Sequence, residues 1–166
     1  MGFEEKVKSR NLKAVNVFIA SFIAGLNEFG VLNQAIVDFS AERAGKYLVS
    51  YMKVVDESVK GNCSAEERVE KVLNRLNEEL EIGKLNVERE EGIVKVQILS
   101  SSCRFCPKGI GEAELEGTLC PFPKLFESFV DNLCDLKIQL VYQGLERCPL
   151  VKEGDFCSIV YSVSER

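Results

Sequence analysis

Leu85-Asn86-Val87-Glu88-Arg89-Glu90-Glu91-Gly92-Ile93-Val94-Lys95-Val96-Gln97-Ile98-Leu99 is the stretch whose reading decides the fold class. Leu85 and Val87 lead into the turn residues Glu90-Glu91-Gly92, and a β-rich run with Ile93, Val94, Val96, Ile98 and Leu99 leaves them. A period of two broken by such a turn predicts a hairpin.

Upstream the period is that of helices. Leu12, Val15, Phe18, Ile19, Phe22, Ile23, Leu26 and Phe29 recur at three-and-four spacing before Gly30, which predicts a first helix from Asn11 to Phe29 with that face in the core. Ala20 and Ala24 place small residues four apart; ordinary core packing is the expected use, and a dimer contact the alternative. Val31 to Val55 continues helically, and Gly45 inside it calls for close packing against another element. After a turn at Lys60-Gly61-Asn62-Cys63, Ser64 and Glu67 form a capping box for a helix with Val69, Val72, Leu73, Leu76 and Leu80 on one face, ending at Gly83.

Downstream, Pro107 to Gly117 reads as a loop. Thr118 or Cys120 then caps a helix reaching Leu133, with Phe122, Leu125, Phe126, Phe129 and Val130 inward. Leu136 to Tyr142 alternates as a strand, Glu153-Gly154-Asp155 turns the chain, and Phe156 to Val163 returns as its partner. The order predicts an α+β domain, a mainly antiparallel sheet covered by helices on one face. With 166 residues, 46% of them hydrophobic, the chain has room for one core, so residues 1–166 read as a single domain.

Composition removes several functions. The net charge of −5 comes from intermixed acids and bases, leaving no basic face for nucleic acid. The apolar run Ala14 to Leu26 is interrupted by Asn16 and Ser21 and falls short of the roughly 20 residues of a membrane span. Met1-Gly2-Phe3-Glu4-Glu5-Lys6 carries acids where an export signal wants a basic region, so a cytoplasmic, reducing location is expected. Histidine is absent, which excludes imidazole bases, Ser-His and Cys-His nucleophile pairs and His-bearing metal sites within this chain.

The chemical signal lies in the cysteines. Cys103-Arg104-Phe105-Cys106 has the spacing of a metal-binding knuckle, Cys120 opens the Phe122 helix where its dipole favours thiolate, and Cys148 and Cys157 flank the last turn. With that turn centred on Glu153-Gly154, Cys157 pairs near Leu150 and Cys148 is its diagonal neighbour. Cys103, Cys106, Cys120, Cys157 and Cys148 are therefore five candidates for a four-thiolate zinc site of structural kind. An iron or iron–sulfur centre, a redox dithiol and plainly buried cysteines are the alternatives. Cys63 and Cys134 read as small apolar residues.

Ala44-Gly45-Lys46-Tyr47-Leu48, the hairpin, the Cys120 helix and the closing segment Cys148 to Gly154-Asp155-Phe156-Cys157-Ser158-Ile159 together resemble the 4-vinyl-reductase domain family. That resemblance implies a fold related to the ligand-binding domain of nitric-oxide sensors and of vesicle-tethering subunits, a homodimer, and an apolar pocket between helices and sheet. It also implies zinc held near the pocket by Cys120, Cys148 and Cys157 with Glu146 as the acid, Cys103 and Cys106 being additions. The expected function is binding of a hydrophobic or aromatic small molecule, with Phe39, Tyr47, Phe122, Phe126 and Tyr142 as candidate walls. The alternatives are reduction of a tetrapyrrole vinyl group, as the family's name suggests, and an assembly or regulatory subunit.

Overall fold

The computed structural model describes residues 2–55, 63–112, 119–142 and 149–166. Among these described residues, five helices occupy Phe3–Ser9 (α1), Ala14–Glu28 (α2), Gln34–Val55 (α3), Ala65–Leu80 (α4) and Phe122–Leu133 (α5). Among the same residues, five strands occupy Leu85–Glu90 (β1), Ile93–Leu99 (β2), Leu136–Leu140 (β3), Val151–Glu153 (β4) and Phe156–Glu165 (β5). The domain is α+β, and every strand pairing is antiparallel.

The β1–β2 hairpin closes as its turn residues dictate, with Glu90 opposite Ile93 and Gly92 at a φ of 71°. β5 is central. It pairs along one side with β2 and along the other with β4 and then β3, which follow each other on the same edge. The second hairpin turns on Gly154-Asp155, so Cys157 stands opposite Lys152 on one side and Ile98 on the other. The expected pairing near Leu150 is corrected by two positions, because Glu153 and Phe156 already pair and leave a two-residue turn.

Helices α4 and α5 lie on the inner face of the sheet, and α3 packs against α5. Val94, Val96 and Ile98 of β2 meet Leu73 and Leu76 of α4 and Phe126 and Phe129 of α5 in one cluster of buried side chains. Ser64 starts α4 as read, its Oγ accepting from the Glu67 N–H at 3.2 Å. Gly45 is where α3 and α5 touch: a Cβ there would sit 2.8 Å from Ser128 Cβ, so glycine sets how closely the two backbones approach. Ser128 Oγ donates to the Glu42 carbonyl at 2.8 Å across the same contact. Tyr161 reaches from β5 beneath α5, donating its hydroxyl to the Pro123 carbonyl at 2.7 Å.

The N-terminal segment departs from expectation. The helix expected from Asn11 to Phe29 is α2 and starts only at Ala14, because Leu12 and Lys13 are non-helical and the Lys13 N–H donates to Asn16 Oδ1 at 2.8 Å; α1 is a separate helix before it that the expected elements did not include. The buried face of α2 is Asn16, Ala20 and Ala24, not the aromatic stripe. Phe18, Phe22 and Phe29 are 67%, 56% and 84% exposed. The physical reason is what α2 packs on: the loop after Cys106, where Gly111 lies against the Ala20 carbonyl and Ala24 Cβ and leaves no room for a ring. The small pair is thus consumed inside the chain, and a dimer contact through Ala20 and Ala24 is ruled out. Among the described residues, no helix is long and apolar enough to cross a membrane.

A candidate thiolate metal centre

Four of the five candidate cysteines converge, delivered by three different parts of the chain. β2 runs out at Leu99, and the Ser102 and Cys103 amides fold back to its carbonyl, placing Cys103 and then Cys106 at the end of the sheet. Cys120 lies two residues before α5. It does not cap that helix as expected; Pro121 holds the cap position, because Phe122 and Pro123 already form the first turn. Cys157 is the second residue of β5.

All four line one cavity of about 600 Å³, together with Phe105, Leu119, Phe122 and Leu150. Phe105 and Phe122 meet edge to face at 5.9 Å, and Phe122 stacks on Phe126 at 5.4 Å, so the apolar wall of the cavity is continuous with the core. Of the other aromatic walls expected from sequence, Phe126 is fully buried core and Phe39, Tyr47 and Tyr142 face solvent. Alternating and helical periods cannot say which apolar face meets a neighbour, and α3 turns Phe39 and Tyr47 away from α5. Cys148 and Glu146 lie outside the described residues, as do Thr118 and the turn residues Lys60, Gly61 and Asn62.

The thiols sense one another. Burial pushes the Cys103 thiol up to about 12, the neighbouring Cys106 and Cys157 add to the rise, and the Phe105 amide and Arg10 oppose it. Burial likewise holds Cys120 well above its ordinary range, reinforced by Cys103, Cys106 and Cys157 and opposed by the Phe122 amide at the start of α5. Cys157 is raised by burial and by Cys106, with Lys152 working the other way. Cys103, Cys120 and Cys157 are thus held toward the neutral thiol, and a bound cation would take the place of their protons.

The donor set suits a soft metal. Four thiolates around a dication leave two negative charges in excess, and Arg10, Lys108 and Lys152 line the same cavity. The opposing amides of Phe105 and Phe122 are backbone donors placed to support thiolate sulfur once the protons leave. Among the described residues, no three such side chains are drawn together as closely as the ligands of one ion. The sulfurs stand around the cavity wall.

The cysteine loop is tied to the N-terminal helices. Arg10 Nη1 donates to the Cys103 carbonyl at 2.8 Å, Arg104 Nε donates to the Arg10 carbonyl at 2.8 Å, and Arg104 also pairs with Glu81. Lys13 pairs with Glu81 at 2.8 Å and Lys6 with Glu112 at 3.3 Å. Arg10 was not legible as a site residue from sequence; a lone arginine between two helices carries no spacing signal. A further pair was missed: Cys134, raised mainly by burial, also feels the thiol of Cys63, which the fold brings from the start of α4 to the end of α5.

A family model described as the MJ0207 family matches residues 30–163. Uncharacterized protein MJ1342 of Methanocaldococcus jannaschii is 38% identical over 65 residues, 38% of this chain and 54% of that protein. Uncharacterized protein MJ0207 of the same organism is 32% identical over 110 residues, 66% of this chain and 65% of that protein. The match therefore spans about half of one relative and just under two thirds of the other. These matches overturn the resemblance to the 4-vinyl-reductase domain family, which rested on scattered glycines and cysteines and on an order of elements that unrelated α+β chains can share. The role given to Glu146 and the reduction of a tetrapyrrole vinyl group lose the resemblance that suggested them. On a match covering most of its length, the chain belongs to the MJ0207 family.

Proposed function

We propose that this protein is a thiolate metal-binding module: Cys103, Cys106, Cys120 and Cys157 hold zinc, and the apolar remainder of the cavity takes a small hydrophobic or aromatic molecule. The observation that carries the reading is the convergence of four cysteines from three separate parts of the chain on one cavity. A ligand shared by all four accounts for such a convergence of one residue type. Bound zinc would supply cross-linking of the sheet end, the cysteine loop and the start of α5, with no step of bond breaking required of it. Phe105, Leu119, Phe122 and Leu150 give the small molecule its apolar wall. The module works in a reducing, cytoplasmic setting, where thiols persist, and as a homodimer.

A second reading is favoured by one specific observation, the size of the cavity. About 600 Å³ ringed by four separated sulfurs is more room than a single ion fills, and an iron–sulfur cluster is held by four cysteines spaced around it. Both Cys106 and Cys120 are followed by proline, as is the last ligand of the bacterial cluster motif.

Anaerobic purification followed by metal and acid-labile sulfide analysis tests both. Zinc near one equivalent in colourless protein is the expected result, and iron with sulfide in brown protein selects the second reading. Cys157→Ser is expected to lose most of the metal, whereas Cys134→Ser keeps it. Protein that carries neither metal and takes up neither Zn²⁺ nor a reconstituted cluster overturns the module.

A further inference from the structure

Helix α2 is inside out for a surface helix. Its buried face holds an amide and two alanines, and its solvent face holds Val15, Phe18, Phe22 and Phe29. An amphipathic helix on a monomer shows the reverse arrangement. The exposed residues also keep a rule: Val15, Phe18, Phe22, Gly25 and Phe29 are spaced three, four, three and four, the seam of a helix that pairs with another helix. Phe18 and Phe22 stack at 5.9 Å along that seam, and a Cβ at Gly25 would meet nothing within 4 Å, so the seam is open to a partner.

Charge narrows what the partner is. Between Lys13 and Glu28 the helix has no acidic or basic residue. A charged peptide finds no complement there, and an anionic membrane surface finds none of the lysines and arginines that interfacial helices carry. A second copy of the same helix meets no such penalty, because an uncharged apolar face is complementary to itself about a twofold axis.

Helix α3 also carries exposed rings. Phe39, Tyr47 and Tyr51 of α3 are also more than half exposed, and Tyr47 carries Arg43 over its ring at 5.5 Å. At roughly 200 Å² per aromatic side chain, the exposed parts of Phe18, Phe22 and Phe29 come to on the order of 400 Å², about half of what each partner of a standard complex contributes.

We propose that a second copy of this chain docks on the solvent face of α2, pairing α2 with its equivalent about a twofold axis, and that the exposed rings of α3 extend the contact. The proposal gives a surface to the homodimer stated above and is independent of the metal centre. The test is sedimentation equilibrium on metal-analysed protein at micromolar concentration. The wild-type chain is expected at twice its monomer mass, and Phe18→Ser with Phe22→Ser at half of that, with unchanged circular dichroism and metal content. Phe39→Ser alone is expected to raise the dimer dissociation constant about tenfold, a value for one buried aromatic anchor.

A wild-type monomer overturns both the dimer and its surface. A dimer that persists in the double variant overturns the surface and leaves the homodimer standing. Monomer that floats with phosphatidylcholine vesicles, lost in the double variant, assigns the seam to a lipid surface and overturns the second copy. Metal content measured in the same samples decides the thiolate reading separately.

Discussion

Phe126 and Phe18 are the same side chain in opposite circumstances. Phe126 is fully enclosed between α5 and the sheet, while Phe18 stands two-thirds exposed on α2. The contrast extends to whole regions. The sheet with α3, α4 and α5 is held by apolar burial: Leu73, Leu76, Phe129, Ile138 and Ile159 have no solvent contact. The N-terminal helices and the cysteine loop are held by Arg10, Arg104, Lys13 and Lys6 through carbonyl hydrogen bonds and ion pairs. Burial of an aromatic side chain stabilises by several times what one such polar contact does. The two regions therefore open at different free energies, the arm and loop first.

The largest expected effect breaks the stable half. Phe126→Ala removes a ring from the centre of the core and is expected to cost about 3–5 kcal/mol, read by urea unfolding. Gly45→Ala is next, at about 1–3 kcal/mol, because the new Cβ would press on Ser128 and force α3 from α5. An unchanged denaturation midpoint in either variant would remove the basis of the comparison.

Tyr161 gives a smaller, pH-dependent effect. Burial holds its hydroxyl well above the ordinary tyrosine range, with the charges of Glu127 and Cys120 acting in the same direction. The folded state thus keeps this proton more tightly than the unfolded chain. The stabilisation is complete below about pH 10, the unfolded value, and is lost as pH rises toward the folded one. Tyr161→Phe is expected to cost about 1 kcal/mol at neutral pH and to flatten the decline above pH 10, measured by thermal melts across the range.

The smallest global effect has the clearest local one. Arg104→Ala releases the Arg10 carbonyl and Glu81, and it is expected to shift the melting temperature little while amide exchange in α1 and α2 speeds about tenfold or more. Equal acceleration in β2 and β5 would show that arm and core open as one unit.

The legible parts of this fold are those written in local periodicity. The turn at Glu91-Gly92, the cap at Ser64 and the inward set Phe122, Leu125, Phe126, Phe129 and Val130 were readable because each is decided within a few residues. The α+β class followed from them. Which face of α2 is buried was not readable, since a stripe of phenylalanines and a stripe of alanines are both periodic, and only the loop at Gly111 selects between them. Of the candidate site, the cavity-lining Cys103, Cys106, Cys120 and Cys157 were singled out by residue type and spacing. Arg10 and the nearness of Cys63 to Cys134 were not, because they depend on contacts between segments far apart in the chain.

The central place of β5 has a consequence for how the protein is made. β5 follows every other described element in the chain, yet it supplies the partner edge for β2, β3 and β4. Until β5 has left the ribosome, the β1–β2 hairpin, whose Val94, Val96 and Ile98 pack against α4 and α5, waits with β2 as an open edge. Such an edge pairs readily with other chains. Nascent chains stalled before Phe156 should therefore be the form of this protein that chaperones hold and that aggregates most readily.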